Sequence, residues 1–156
     1  MKATQEVTSR QLTETYTAVV RGEMPVDELP AWLAGVFPTV ANYLRETGVI
    51  AIGPPFARFA FLGRVAAVEA GFPVPTEITG DGLVEPSTLP GGPAAVTMHV
   101  GSYQDLDKVY LAVRSWVSQH GYVTTGPHWE VYLTDPTVEP DPTCWRTDVV
   151  LPYRPA

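Results

Sequence analysis

Gly53-Pro54-Pro55-Phe56-Ala57-Arg58-Phe59-Ala60-Phe61 and Gly126-Pro127-His128-Trp129-Glu130-Val131-Tyr132-Leu133 are two versions of one short passage. Each opens on Gly-Pro and runs on into residues that favour extended backbone. Each also stands five residues after another glycine, Gly48 or Gly121. Aligned there, Phe56 matches Trp129, Ala57 matches Glu130 and Phe59 matches Tyr132. What precedes the passages repeats as well. Thr15 to Val20 reaches Arg21-Gly22 before a helical stretch that stops at Gly48. Ala94 to Val100 reaches Gly101 before a helical stretch that stops at Gly121. Self-similarity of this kind marks a duplicated supersecondary unit, here strand-helix-strand-strand.

The helical stretches carry one apolar face each. Leu29, Trp32, Leu33, Val36, Phe37, Val40 and Leu44 recur at three-and-four spacing, as do Leu106, Val109, Tyr110, Val113, Trp116, Val117 and His120. Asp27 and Glu28 suit the positive end of the first helix dipole, and Pro38 is expected to bend that helix by removing a donor. Strands are expected at 4–9, 14–21, 56–62, 65–70, 94–100, 128–134 and 145–151, with short extended stretches after Gly48 and Gly121 left open. Leu89-Pro90-Gly91-Gly92-Pro93 reads as the break between halves. Helices separated by groups of strands predict an α+β fold with an antiparallel sheet. We expect one domain over 1–156, with the repeat at about 4–75 and 83–153.

Composition narrows the function. A net charge of −7, with the ten basic residues scattered, excludes the basic stripe that direct nucleic-acid binding requires. No apolar run approaches the roughly 18 residues of a membrane span, and the N-terminus lacks a signal-peptide core. One cysteine, Cys144, excludes an internal disulfide and fits a reducing compartment, so the expected location is the cytoplasm. His99, His120 and His128 are too widely spaced for a recognisable metal site. No cofactor motif is present, and neither Cys144 nor the serines carry a nucleophile signature.

Glu130 is the residue to explain. Strand alternation puts it on one face with His128 and Tyr132. Burying an ionised carboxylate costs several kcal/mol unless something pairs with it. The pairing is either internal, through Arg146, Arg58 or His128, or supplied by a ligand. Tyr103, Tyr110, Trp145, Phe56 and Phe59 are candidate cavity walls, with packing in the core as the alternative for each. A flat lipophilic cation gains roughly 0.5–2 kcal/mol over a suitable ring.

The order and spacing of several elements resemble the GyrI-like small-molecule-binding domains, which also form the effector-binding part of multidrug-sensing transcription activators. The matching elements are Gly53 to Phe59, Val68-Glu69-Ala70-Gly71-Phe72-Pro73-Val74-Pro75, and Leu89 to Pro93 leading into Met98-His99-Val100-Gly101-Ser102-Tyr103. Gly126 to Leu133 and Arg146-Thr147-Asp148-Val149-Val150-Leu151-Pro152 complete the set. The resemblance implies a pseudo-two-fold pair of modules with a ligand groove at their junction and the family's pocket glutamate at Glu130. It also implies binding of bulky, planar, hydrophobic and preferably cationic molecules by a stand-alone member, for sequestration or for service to a separate regulatory protein. Some members of this kind are similar to hydrolases that open cyclopropane rings in DNA-alkylating natural products, with the glutamate handling the water. Others act as interaction proteins that inhibit a topoisomerase.

Overall fold

The computed structural model describes residues 5–156 and contains nine strands and two helices of more than one turn. In chain order the elements are β1 (Thr8–Leu12), β2 (Thr15–Pro25), α1 (Leu29–Thr47), β3 (Phe56–Leu62), β4 (Val65–Pro73) and β5 (Glu85–Leu89). Then follow β6 (Gly92–Val100), α2 (Leu106–Gln119), β7 (Tyr122–Thr124), β8 (His128–Tyr132) and β9 (Arg146–Pro155). Every strand pairing within the two units described below is antiparallel. The architecture is therefore α+β, as the grouping of strands between helices predicts.

The chain divides into two compact units. The first, Thr13–Gly91, holds strands in the order β3-β4-β2-β5 with α1 packed on β4 and β2. Val36, Val40, Tyr43 and Leu44 form the buried stripe of α1, where the three-and-four spacing places them. Gly48 ends the helix at φ 72°, a left-handed conformation that costs glycine nothing. Its amide returns to Leu44 and Arg45, and α1 runs unbroken through Pro38.

The second unit, Gly92–Ala156 with the stretch ending at Leu12, holds the order β1-β6-β9-β8, and β7 also pairs with β9. Ala95, Val149, Leu151 and Tyr153 on its sheet pack against Leu106, Val109, Val113 and Val117 of α2.

Sequence patterning located both helices and most strands, with differences at the ends. The strand expected at 4–9 begins at Thr8, and Thr4 lies outside the described residues. β5 was not anticipated, because Glu85-Pro86-Ser87-Thr88-Leu89 shows no apolar alternation. Of the two open stretches, the one after Gly121 is β7 and the one after Gly48 forms no strand. Among the described residues, no helix is long and apolar enough to cross a membrane.

Candidate functional site

The sheet of the second unit sets the site by register. Glu130 on β8 stands across from Val149 on β9, and Val149 across from Thr97 on β6. One row along, Tyr132 stands across from Thr147, and Thr147 across from His99. Directly opposed residues share a face, so these six side chains lie together. It is the face that packs on α2, since Val149 belongs to that core.

Glu130 is buried, at 9% exposure. It accepts hydrogen bonds from the Tyr110 hydroxyl at 2.6 Å and the Tyr132 hydroxyl at 2.9 Å. Burial raises its pKa; the two phenols and the neighbouring His99 pull it back only in part. The phenols shift upward in return, mainly through their own burial and then through the carboxylate beside them. Among the described residues, no lysine or arginine forms an ion pair with Glu130. Arg146, one internal candidate, is exposed at the start of β9. His128 is no counter-charge at neutral pH, because burial, helped by Arg114, lowers its pKa to about 4.

Aromatic rings extend from the carboxylate on both sides. Tyr103, in a 3-10 turn before α2, meets Tyr132 edge-on at 5.8 Å and Trp145 at 4.9 Å. The Trp145 indole donates to the Glu139 carbonyl at 2.7 Å, and the Trp145 carbonyl accepts from Gly101 at 2.7 Å. On the other side Tyr110 meets His128 at 4.8 Å, with the Arg114 guanidinium 5.7 Å from the Tyr110 ring centre.

Six of the sequence-predicted residues thus come together: Glu130, Tyr110, Tyr132, Tyr103, Trp145 and His128. The other two, Phe56 and Phe59, are buried core side chains of β3 in the first unit, at 1% and 3% exposure. Sequence reasoning missed His99 and Thr147. The signal that finds them is strand register, which pairs residues 15 to 48 positions apart and leaves no local trace. Among the described residues, no group of three or more histidine, cysteine, aspartate or glutamate side chains is placed to hold a metal ion.

The arrangement offers a recessed negative group, held by neutral donors and flanked by rings. Several known structures share the fold. The C-terminal domain of EcmrR superposes with a TM-score of 0.81 at 18% identity, over 97% of this chain and 99% of that one. The chain spans only 59% of EcmrR as seen in its complex with DNA. A hydrolase from Listeria innocua gives a TM-score of 0.70 at 16% identity, covering 98% of this chain and 94% of that chain. SAV2435 bound to tetraphenylphosphonium gives 0.61 at 12%, covering 96% and 94%. At such identities these likenesses speak for the fold alone, and no curated protein matches the sequence. The sequence model of the GyrI-like small molecule binding domain, however, matches residues 64–154. Because that match takes in more than half of the chain, this protein belongs to the GyrI-like family of small-molecule-binding domains.

Proposed function

We propose that the chain binds bulky, planar, hydrophobic molecules, preferably cationic, with Glu130 as the counter-charge. One observation carries the reading: a buried carboxylate held by two phenol hydroxyls, with no guanidinium or ammonium against it among the described residues. The two hydroxyls restore part of what water supplied and bring no positive charge of their own. A cation arriving over Tyr110, Tyr132, Tyr103 and Trp145 supplies that charge, and the rings add cation–π and stacking contacts. SAV2435, which shares the fold, was captured with a lipophilic cation. The proposed setting is the cytoplasm, either sequestering such compounds or presenting the liganded state to a separate regulatory protein.

The test is a titration of tetraphenylphosphonium and neutral triphenylphosphine oxide against the wild type and Glu130→Gln. The variant should bind the cation at least tenfold more weakly, about 1.4 kcal/mol, and the neutral molecule within twofold. Equal losses for both ligands would mean that Glu130 contributes shape and not charge.

The raised pKa of Glu130 favours a second reading, hydrolysis. In it, water forms a C–O bond to a cyclopropane carbon while the strained C–C bond breaks toward a conjugated carbonyl. Glu130 passes the proton lost by water to that carbonyl oxygen. Product in molar excess over protein, abolished in Glu130→Gln, is its signature; stoichiometric binding without turnover rejects it.

A further inference from the structure

The duplication provides an internal control for which polar groups the fold itself needs. The helix-ending glycines Gly48 and Gly121 are 73 residues apart. The same offset carries the buried Val36, Val40 and Leu44 of α1 onto Val109, Val113 and Val117 of α2. It also carries Phe37 onto Tyr110, Ala57 onto Glu130 and Phe59 onto Tyr132. Register extends the correspondence across each sheet. In the first unit, Ala57 faces Ala70 and Ala70 faces Val20, while Phe59 faces Val68 and Val68 faces Gly22. The matching rows of the second unit are Glu130, Val149, Thr97 and Tyr132, Thr147, His99.

Every polar side chain in the second set therefore answers to an apolar residue or a glycine in the first. The same antiparallel ladder forms without them, so backbone topology does not demand them. Two of the substitutions, Phe37 to Tyr110 and Phe59 to Tyr132, amount to one hydroxyl each, and both hydroxyls bind Glu130. A third, Val68 to Thr147, exchanges a methyl for a hydroxyl of nearly equal size. That hydroxyl is different: Thr147 is 0% exposed, and its Oγ1 has no hydrogen-bond partner. A buried hydroxyl left unsatisfied costs stability that valine would not.

The fourth replacement, Gly22 to His99, comes with a change of neighbour. Above Gly22 the space is filled, because a Cβ there would lie 2.7 Å from the Trp32 ring. The residue 73 positions after Trp32 is Asp105, exposed in the turn before α2. In place of glycine stands His99, buried, its Nε2–H donating to the Ser102 carbonyl at 2.8 Å. A ring carrying only that proton presents Nδ1 as an acceptor. Thr147 and His99 are directly opposed, a spacing that puts their Cβ atoms about 5 Å apart.

We infer that Thr147 and His99 form a hydrogen-bonding subsite beside Glu130 that takes an uncharged hydroxyl of the ligand. A hydroxyl accepts from Thr147 Oγ1 and donates to His99 Nδ1 at once, which a carbonyl or an ammonium cannot do. The inference rests on the small-molecule reading of the Glu130 face and adds a class to it: hydrophobic cations bearing an alcohol near the charged centre.

The test uses Thr147→Val with four probes, tetraphenylphosphonium and its ortho-, meta- and para-hydroxymethyl derivatives on one ring. The wild type should bind at least one alcohol fivefold or more tighter than the parent ion. Thr147→Val should keep its affinity for the parent within twofold and lose the alcohol's advantage. No favoured alcohol, an advantage that survives the substitution, or an equal loss for all four ions overturns the subsite. A melting temperature, measured without ligand, separates this inference from the reading beneath it. Thr147→Val should melt at or above the wild type. A lower value means that the hydroxyl serves the fold or a structural water, and it overturns the assignment. If no ion binds the wild type, cation binding is rejected and the melting temperature alone decides on Thr147.

Discussion

Glu130 sits where two demands conflict. Burial disfavours its charge, and the Tyr110 and Tyr132 hydroxyls restore only part of what water supplied, so its pKa stays raised. The consequence for stability has a definite sign. At a pH below the ordinary carboxyl value, folded and unfolded chains both hold the proton, and no penalty exists. As pH rises from the ordinary value toward the elevated folded one, the folded state keeps a proton that the unfolded state has released, and stability falls until both are ionised. Glu130→Gln retains a carbonyl oxygen for the phenols and removes the charge. It should melt above the wild type at pH 7 by about 2–4 °C, on the order of 1 kcal/mol for a chain of this size. The gap should close toward pH 4; a gap that ignores pH would mean that the gain is not electrostatic. Asp148, also raised by burial, is common to both proteins and cancels. The glutamate was legible in sequence because strand alternation sets a carboxylate among aromatics. His99 and Thr147 were not, because nothing local to Met98-His99-Val100 or Arg146-Thr147-Asp148 records that they face each other.

At the scale of elements, the helices were legible because seven positions on one face of each, all apolar but His120, repeat at one spacing, a signal that survives an interior Pro38. β5 was not, because Glu85–Leu89 carries a proline and no alternating pattern, and β1 was placed too early in the chain, because Thr8–Leu12 is almost wholly exposed. Glycines show the same limit. Gly35 and Gly71 are equally plain in the sequence, yet their surroundings oppose each other. A Cβ at Gly35 meets nothing within 4 Å on α1. One at Gly71 would lie 1.8 Å from the Ala18 carbonyl oxygen, where β4 runs against β2. That oxygen is backbone and can yield only by opening the ladder. Gly35→Ala should therefore stabilise by about 0.5–1 kcal/mol through helix propensity. Gly71→Ala should destabilise by about 3 kcal/mol or more through overpacking. Urea denaturation of both variants checks the pair, and a loss of less than about 1 kcal/mol at Gly71 would show that β4 can shift away.

At the scale of the molecule, the repeat in the sequence and the units in space do not divide the chain at the same points. Read along the chain, each module opens with a short strand: β1 in the first half, β5 in the second. In space these two are exchanged. β1 pairs with β6, and β5 pairs with β2. Further bonds hold β1 and the residues before it to the second unit. The Gln5 amide donates to Thr97, and the Ser9 hydroxyl meets that of Tyr153. A chain cut at the sequence repeat would leave each half without the edge strand that covers it and carrying one that fits the other. The fragment 13–91 contains every strand of the first unit and the helix packed on them. The fragment 1–75, of similar length, lacks β5 and retains a β1 with no partner. A small domain has little surplus stability with which to absorb an open edge. Fragment 13–91 should show dispersed amide resonances and a cooperative thermal transition, while 1–75 should show neither or should aggregate. If 1–75 folds as well as 13–91, β5 contributes nothing essential to that sheet, and the exchange is a matter of connectivity and not of stability.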